Sequence, residues 1–106
     1  MTTLTLENEP LVAEVAIISG KLMVDLIDGR TIIVPLAWYP RLWHGSLRER
    51  QNWQLLGDGY AIEWPDLDEH IGVDGLLAGH KSSESQISLD KWLAARQAIL
   101  SDLVIR

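Results

Sequence analysis

Asp28-Gly29-Arg30-Thr31-Ile32-Ile33-Val34-Pro35-Leu36-Ala37-Trp38-Tyr39-Pro40-Arg41-Leu42 is the stretch whose reading decides the fold. Asp28-Gly29 is a hairpin signal, because a type I′ turn needs positive φ at both central residues. Beyond it Ile32, Val34 and Leu36 alternate with Thr31, Ile33 and Pro35, the period of a strand with one buried face. Pro35 has no N–H to give to a ladder, so the strand ends there or lies at a sheet edge. Between Asp28 and Asp68 lie four of the five tryptophans and both tyrosines, which marks the segment as core and as a rigid corner.

Working towards the N-terminus, Leu22, Val24 and Leu26 alternate with Met23, Asp25 and Ile27. Leu11 to Ile18 is rich in β-branched residues and stops at the turn signal Ser19-Gly20. Three consecutive antiparallel strands, a meander, are predicted, with residues 1–10 as a loose lead-in. Towards the C-terminus, Pro40 suits the first turn of a short helix around Trp38–Trp43. Ser46 followed by Glu49 is a capping box for a second helix around Ser46–Trp53. Gln54-Leu55-Leu56, the turn Gly57-Asp58-Gly59 and Tyr60 to Trp64 form a second hairpin, stopped by Pro65. Asp66 to His70 reads as a polar loop, Ile71 to Val73 as a short strand, and Asp74 as the cap of one turn ending at Gly79. Residues 80–87 are a serine-rich linker. Ser88 then caps a helix with Asp90 in its first turn and Leu89, Trp92, Leu93, Ile99, Leu100 and Leu103 in an amphipathic stripe. The expected class is α+β: an N-terminal three-stranded meander, two short helices, a second hairpin and a C-terminal amphipathic helix. Its expected division is a core over 1–80 and a linker with helix over 81–106.

With 106 residues, 47% hydrophobic and 23% charged, the chain has the size and usage of one globular domain. It contains no cysteine, which excludes disulfides, thiol nucleophiles and thiolate metal sites. Met1 to Glu7 has neither a basic region nor a long apolar run, so no signal peptide is expected. No apolar stretch approaches the roughly 20 residues that span a bilayer. A cytoplasmic protein is the expectation. The formal charge is −6, and residues 51–80 account for all of it, with six acids (Asp58, Glu63, Asp66, Asp68, Glu69, Asp74) and no Lys or Arg. Such a segment repels phosphate backbones and attracts basic proteins or cations.

Asp66-Leu67-Asp68-Glu69-His70 has the oxygen and imidazole donors of a metal site but not the spacing. Counted from Asp66, the sixth position is Ile71 where a calcium loop has Gly, and the twelfth is Leu77 where it has Glu. His44, His70 and His80 are never paired at i, i+4, so no zinc-protease motif exists. No Gly-x-Ser-x-Gly elbow places a nucleophile. Gly57-Asp58-Gly59 lacks the remainder of a phosphate loop and reads as a turn. No catalytic residue, cofactor or metal is expected.

The ordered motifs Asp28-Gly29-Arg30, Val34 to Leu42, Trp53, Gly57-Asp58-Gly59-Tyr60, Trp64 to Glu69 and Val73-Asp74-Gly75-Leu76-Leu77 resemble a bacterial family called domain of unknown function 2442. The resemblance covers about residues 12–80. It implies a small α+β domain, sometimes fused to a helix-turn-helix, and no established catalytic residues. The resemblance also implies an antitoxin role, since similar proteins are often encoded beside a small toxin-like protein of the family called domain of unknown function 4160. The residues after Gly79 are too few for a complete helix-turn-helix.

The leading expectation is therefore a non-enzymatic protein-binding module, the antitoxin-like partner of a small basic toxin encoded by a neighbouring gene, with homo-oligomer formation open. The expected partner-binding residues are Glu63, Asp66, Asp68, Glu69, Asp74, Trp38 and Arg41. The alternative is a transcription-associated module that reads DNA only as an oligomer, through Arg41, Arg48 and Arg50, since the isolated acidic chain disfavours nucleic acid. A metal-dependent or catalytic site around Asp66, Asp68 and His70 ranks last.

Overall fold

Two antiparallel three-stranded sheets, each consecutive along the chain, share one core. The computed structural model describes residues 10–105, so the lead-in expected over 1–10 lies, apart from Pro10, outside the described residues. The first sheet is β1 (Val12–Ile18), β2 (Lys21–Leu26) and β3 (Thr31–Pro35), the predicted meander. Its alternation works as read: Val15, Leu22, Val24, Leu26 and Val34 are buried, while Lys21, Asp25, Thr31 and Ile33 face out.

The turns exchange roles relative to the sequence expectation. Ser19 (φ 52°) and Gly20 (φ 74°) both have positive φ, so the two-residue type I′ geometry falls between β1 and β2. Of Asp28-Gly29 only Gly29 has positive φ. The β2–β3 loop is longer, closed by Gly29 N–H donating to the Leu26 carbonyl at 3.0 Å and by Arg30 N–H donating to Asp28 Oδ1 at 3.0 Å. Asp28 acts there through its side chain, mimicking a backbone turn.

A 3₁₀ turn (Leu36–Trp38) leads to α1 (Pro40–His44), which begins on Pro40 and buries Leu42. In α2 (Leu47–Gln51) both arms of the predicted capping box are present: Glu49 N–H donates to Ser46 Oγ at 3.1 Å, and Ser46 N–H donates to Glu49 Oε1 at 2.9 Å. The predicted second hairpin is part of a three-stranded sheet, β4 (Gln54–Leu56), β5 (Ala61–Trp64) and β6 (Glu69–Gly72). Pro65 ends β5 as expected, but the expected polar loop after it is absent. In its place a 3₁₀ turn (Pro65–Leu67) buries Leu67, and Asp68, in the left-handed region at φ 50°, leads straight into β6. The last strand thus starts two residues before the expected Ile71, because Asp68 turns the chain back at once. Trp64 is fully buried and donates its Nε1–H to the Arg50 carbonyl at 3.0 Å, fixing α2 over the second sheet.

In α3 (Val73–Leu77) Gly72 is the N-cap, so Asp74 sits in the first turn and is not the cap. The last element, α4 (Gln86–Ile105), starts two residues before Ser88; Ser85 Oγ accepts the Ser88 N–H at 3.1 Å. Along it Leu89 is buried and Trp92 packs on the core, whereas Ile99 is exposed, so the described part of the apolar stripe docks only at its N-terminal end. The Leu100 and Leu103 side chains lie outside the described part.

The sheets meet where Val12 N–H donates to the Gly59 carbonyl at 2.8 Å. Gly59 has φ 109°, and a Cβ on it would lie 2.8 Å from the Val12 carbonyl oxygen. By contrast, a Cβ on Gly20 meets nothing within 4 Å. Urea denaturation should therefore show Gly59→Ala costing about 3 kcal/mol and Gly20→Ala only about 1 kcal/mol, which separates collision from positive-φ strain alone. Equal losses would contradict that distinction.

Candidate functional site

Pro40 starts α1, and the next residue, Arg41, points its side chain to the turn that precedes β6 and to the C-terminal segment. Its Nε–H donates to both Glu84 carboxylate oxygens at 3.0 Å, and Nη2 reaches Glu84 Oε2 at 2.6 Å. Nη1 donates to the Asp68 carbonyl at 3.2 Å and more weakly to the Leu67 carbonyl at 3.4 Å, and it lies 3.5 Å from Asp68 Oδ2. The Arg41 and Glu84 side chains are only 16% and 10% exposed. Glu84 also accepts from the Ser88 hydroxyl at 2.8 Å, at the start of α4. One guanidinium thereby joins α1, the turn into β6, and the approach to α4.

Trp92 completes this junction. The guanidinium carbon of Arg41 lies 5.1 Å from its ring centroid and that of Arg96 lies 4.7 Å away. Arg96 in turn donates to both oxygens of Glu49, at 2.9 and 2.8 Å. The same Glu49 carboxylate therefore caps α2 and anchors α4. The hydrogen bonds from Arg96 lower the Glu49 pKa from the ordinary 4.5 to about 2, against the opposing effect of burial. Glu84 is likewise lowered, chiefly by its hydrogen bond from Arg41.

Beside this junction an open cleft of about 570 Å³ separates β6 from residues 80–84. All four β6 residues line one wall. The facing wall is an extended segment held at three points: Tyr39 Oη donates to the His80 carbonyl at 3.0 Å, Ser82 N–H donates to the Trp38 carbonyl at 3.0 Å, and Glu84 is paired with Arg41. Lys81 Nζ lies 5.4 Å from the Trp38 ring centroid. At one end Glu69 is half-buried, and burial raises its pKa despite the His70 N–H that it accepts at 3.1 Å and the attraction of Arg41. The cleft brings together hydrogen-bonding main chain, two histidines and charges of both signs. Among the described residues no group of three or more His, Asp or Glu side chains is placed to hold a metal ion.

Of the seven sequence-predicted residues, the structure gathers Arg41, Asp68 and Glu69 at this cleft. The Asp68 side chain is 95% exposed. Trp38 stands behind the wall as the platform under Lys81. Glu63 lies on β5 and accepts from Gln54 Nε2 at 2.6 Å, and Asp66 accepts from Asn52 Nδ2 at 2.9 Å. Asp74 is exposed on α3. These three do not line the cleft. Glu84, Lys81 and His80 were not anticipated as site residues, and Trp92 was read only as part of the C-terminal apolar stripe. Residues 80–87 carry no periodic pattern, and Arg41, which pairs with Glu84 and stacks on Trp92, lies 43 residues before Glu84.

The family model described as "Protein of unknown function (DUF2442)" matches residues 12–82. None of the curated proteins matches the chain. A crystal structure of a protein of unknown function from Rhodospirillum rubrum is 30% identical, with a TM-score of 0.64, covering 74% of this chain and 98% of that one. The solution structure of an uncharacterized protein from Chromobacterium violaceum superposes with a TM-score of 0.63 over 90% of this chain and 83% of that one. At 18% identity the latter shows the fold alone.

The junction is open to two tests. Arg41→Met leaves the largely buried Glu84 carboxylate without its cation and should cost about 3 kcal/mol in urea denaturation; adding Glu84→Leu should recover part of that loss. A double variant less stable than the single would contradict the pairing. Glu49 and Glu84 bind protons more weakly in the folded than in the unfolded chain, so their stabilisation is present above pH about 4.5 and is lost as pH falls below it, for Glu49 towards about 2. A pH series should show Glu49→Gln flattening that acid limb. An unchanged limb would contradict the assignment.

Proposed function

The chain belongs to the DUF2442 family of proteins of unknown function, and on that footing we propose that it is a non-enzymatic protein-binding module that receives a basic protein through its acidic 58–74 segment. The observation that carries this reading is the placement of charge. Residues 51–80 hold six acids and no Lys or Arg, and Asp66, Asp68 and Asp74 are exposed. A fixed negative surface of this kind steers and selects a cationic partner. Partner contacts are assigned to Glu63, Asp66, Asp68, Glu69 and Asp74, with Trp38 and Arg41 supporting the adjoining wall.

The partner is a small toxin encoded by a neighbouring gene, and the chain acts in the cytoplasm as its antitoxin-like half. Oligomer-dependent DNA binding has less support. Arg41 is engaged by Glu84, and Arg50 donates to the Leu42 and Trp43 carbonyls at 2.8 and 2.7 Å, which leaves Arg48 as the exposed member of that trio.

Co-expression with the neighbouring gene product, followed by capture on a tag carried by this chain at about 0.15 M salt, should recover a stable complex. Asp68→Asn combined with Asp74→Asn should weaken it about 3- to 10-fold and reduce its salt dependence. Absence of a complex would remove this reading.

A further inference from the structure

We propose that the free edge of β6 accepts an extended, lysine- or arginine-bearing segment of the partner protein as a fourth strand of the second sheet. The inference rests on the protein-binding reading above and names its contact. The register of the β5–β6 ladder sets the geometry. Val73 N–H donates to the Tyr60 carbonyl at 3.0 Å, and Ile62 stands opposite Ile71 and Trp64 opposite Glu69. In an antiparallel ladder only alternate opposed pairs exchange bonds, so His70 and Gly72 turn their main-chain N–H groups away from β5. Among the described residues the Gly72 N–H meets no acceptor. The His70 N–H is held by Glu69 Oε1, a carboxylate oxygen standing where a carbonyl of an added strand would accept.

The space along this edge suits a single strand. Every β6 residue lines the 570 Å³ cleft, and the facing wall of residues 80–84 is pinned to α1. That wall admits a linear segment but obstructs another folded sheet edge. Gly72 leaves the near side open, since a Cβ there would have nothing within 4 Å. At the β3 edge of the first sheet, by contrast, Pro35 has no N–H to offer an added strand.

Charge selects the occupant. Arg41 and Glu84 neutralise each other, leaving Asp68, Glu69 and Asp74 around β6 and α3 against Lys81 on the far wall. Carbonyls of the incoming strand accept the Gly72 and His70 N–H groups, and its N–H donates to the His70 carbonyl. Glu69, displaced from His70, is then free to pair with a basic side chain of the segment.

Gly72→Pro isolates the main-chain contact. Gly72 has φ −80° and ψ 146°, which proline adopts, and its N–H makes no internal bond that the ring would break. The probe is a fluorescently labelled peptide, Lys-Val-Lys-Val-Lys-Val-Lys, with Glu-Val-Glu-Val-Glu-Val-Glu as control, titrated by polarisation. The basic peptide should bind the wild-type chain saturably and the acidic one should not. Gly72→Pro should weaken binding about tenfold or more with the melting temperature kept or raised. No saturable binding up to about 1 mM, or equal binding by a folded Gly72→Pro variant, overturns the inference. If that variant unfolds, amide exchange decides: in the wild-type complex the His70 and Gly72 amides must gain protection, and their failure to do so overturns it. A partner complex indifferent to Gly72→Pro would leave the protein-binding reading standing and remove strand addition alone.

Discussion

Arg41 sits on a five-residue helix, α1, too short to hold its place by its own hydrogen bonds. What fixes the surrounding architecture is the demand of its guanidinium for acceptors in a site that is mostly shielded from water. An unpaired cation there is strongly unfavourable, so Glu84, the Asp68 carbonyl and the Trp92 ring must come to it together. The exposed pair Arg30–Asp28 has side chains 56% and 34% exposed and contributes little by comparison. The difference is burial. It makes one ion pair an organiser of the chain's C-terminal third and the other a local turn device.

The candidate site is a consequence of this constraint. Residues 80–84 have no regular structure, yet they run along β6 at a set separation because Tyr39, Trp38 and Arg41 each hold a point on them. Glu49 repeats the logic one step further along α4, closing the capping box of α2 while pairing with Arg96. Both helical approaches are therefore tied to the body by carboxylates that serve two partners at once. The acidic residues of the chain are partly structural: Glu49 and Glu84 are consumed by the fold, whereas Asp68 and Asp74 stay exposed.

What the sequence disclosed was local. Alternation at Leu22-Val24-Leu26 and Ile32-Val34-Leu36, proline at Pro40 and Pro65, and the Ser46/Glu49 pair are rules written within a few residues, and the structure obeys them. The turn chemistry was harder. Asp-Gly is the usual type I′ pair, but here Ser19-Gly20 takes that geometry because two residues suffice to join β1 to β2, while the Asp28 side chain stabilises a longer loop. Asp68 in the left-handed region concealed the start of β6 within what reads as a polar run. The Arg41–Glu84 and Arg96–Glu49 pairs span 43 and 47 residues, and no periodicity reports such distances. That is why a serine-rich stretch reads as a linker when it forms one wall of a cleft.

Whether Arg41 holds that wall and the start of α4 in place is measured directly by native-state amide exchange of Arg41→Met against the wild type. The prediction is a local opening: the Ser82 amide and the amides of the first turns of α4 lose protection, while those of Leu22 and Val24 in β2 keep theirs relative to global unfolding. Loss spread evenly over both regions, or none at Ser82, would contradict it.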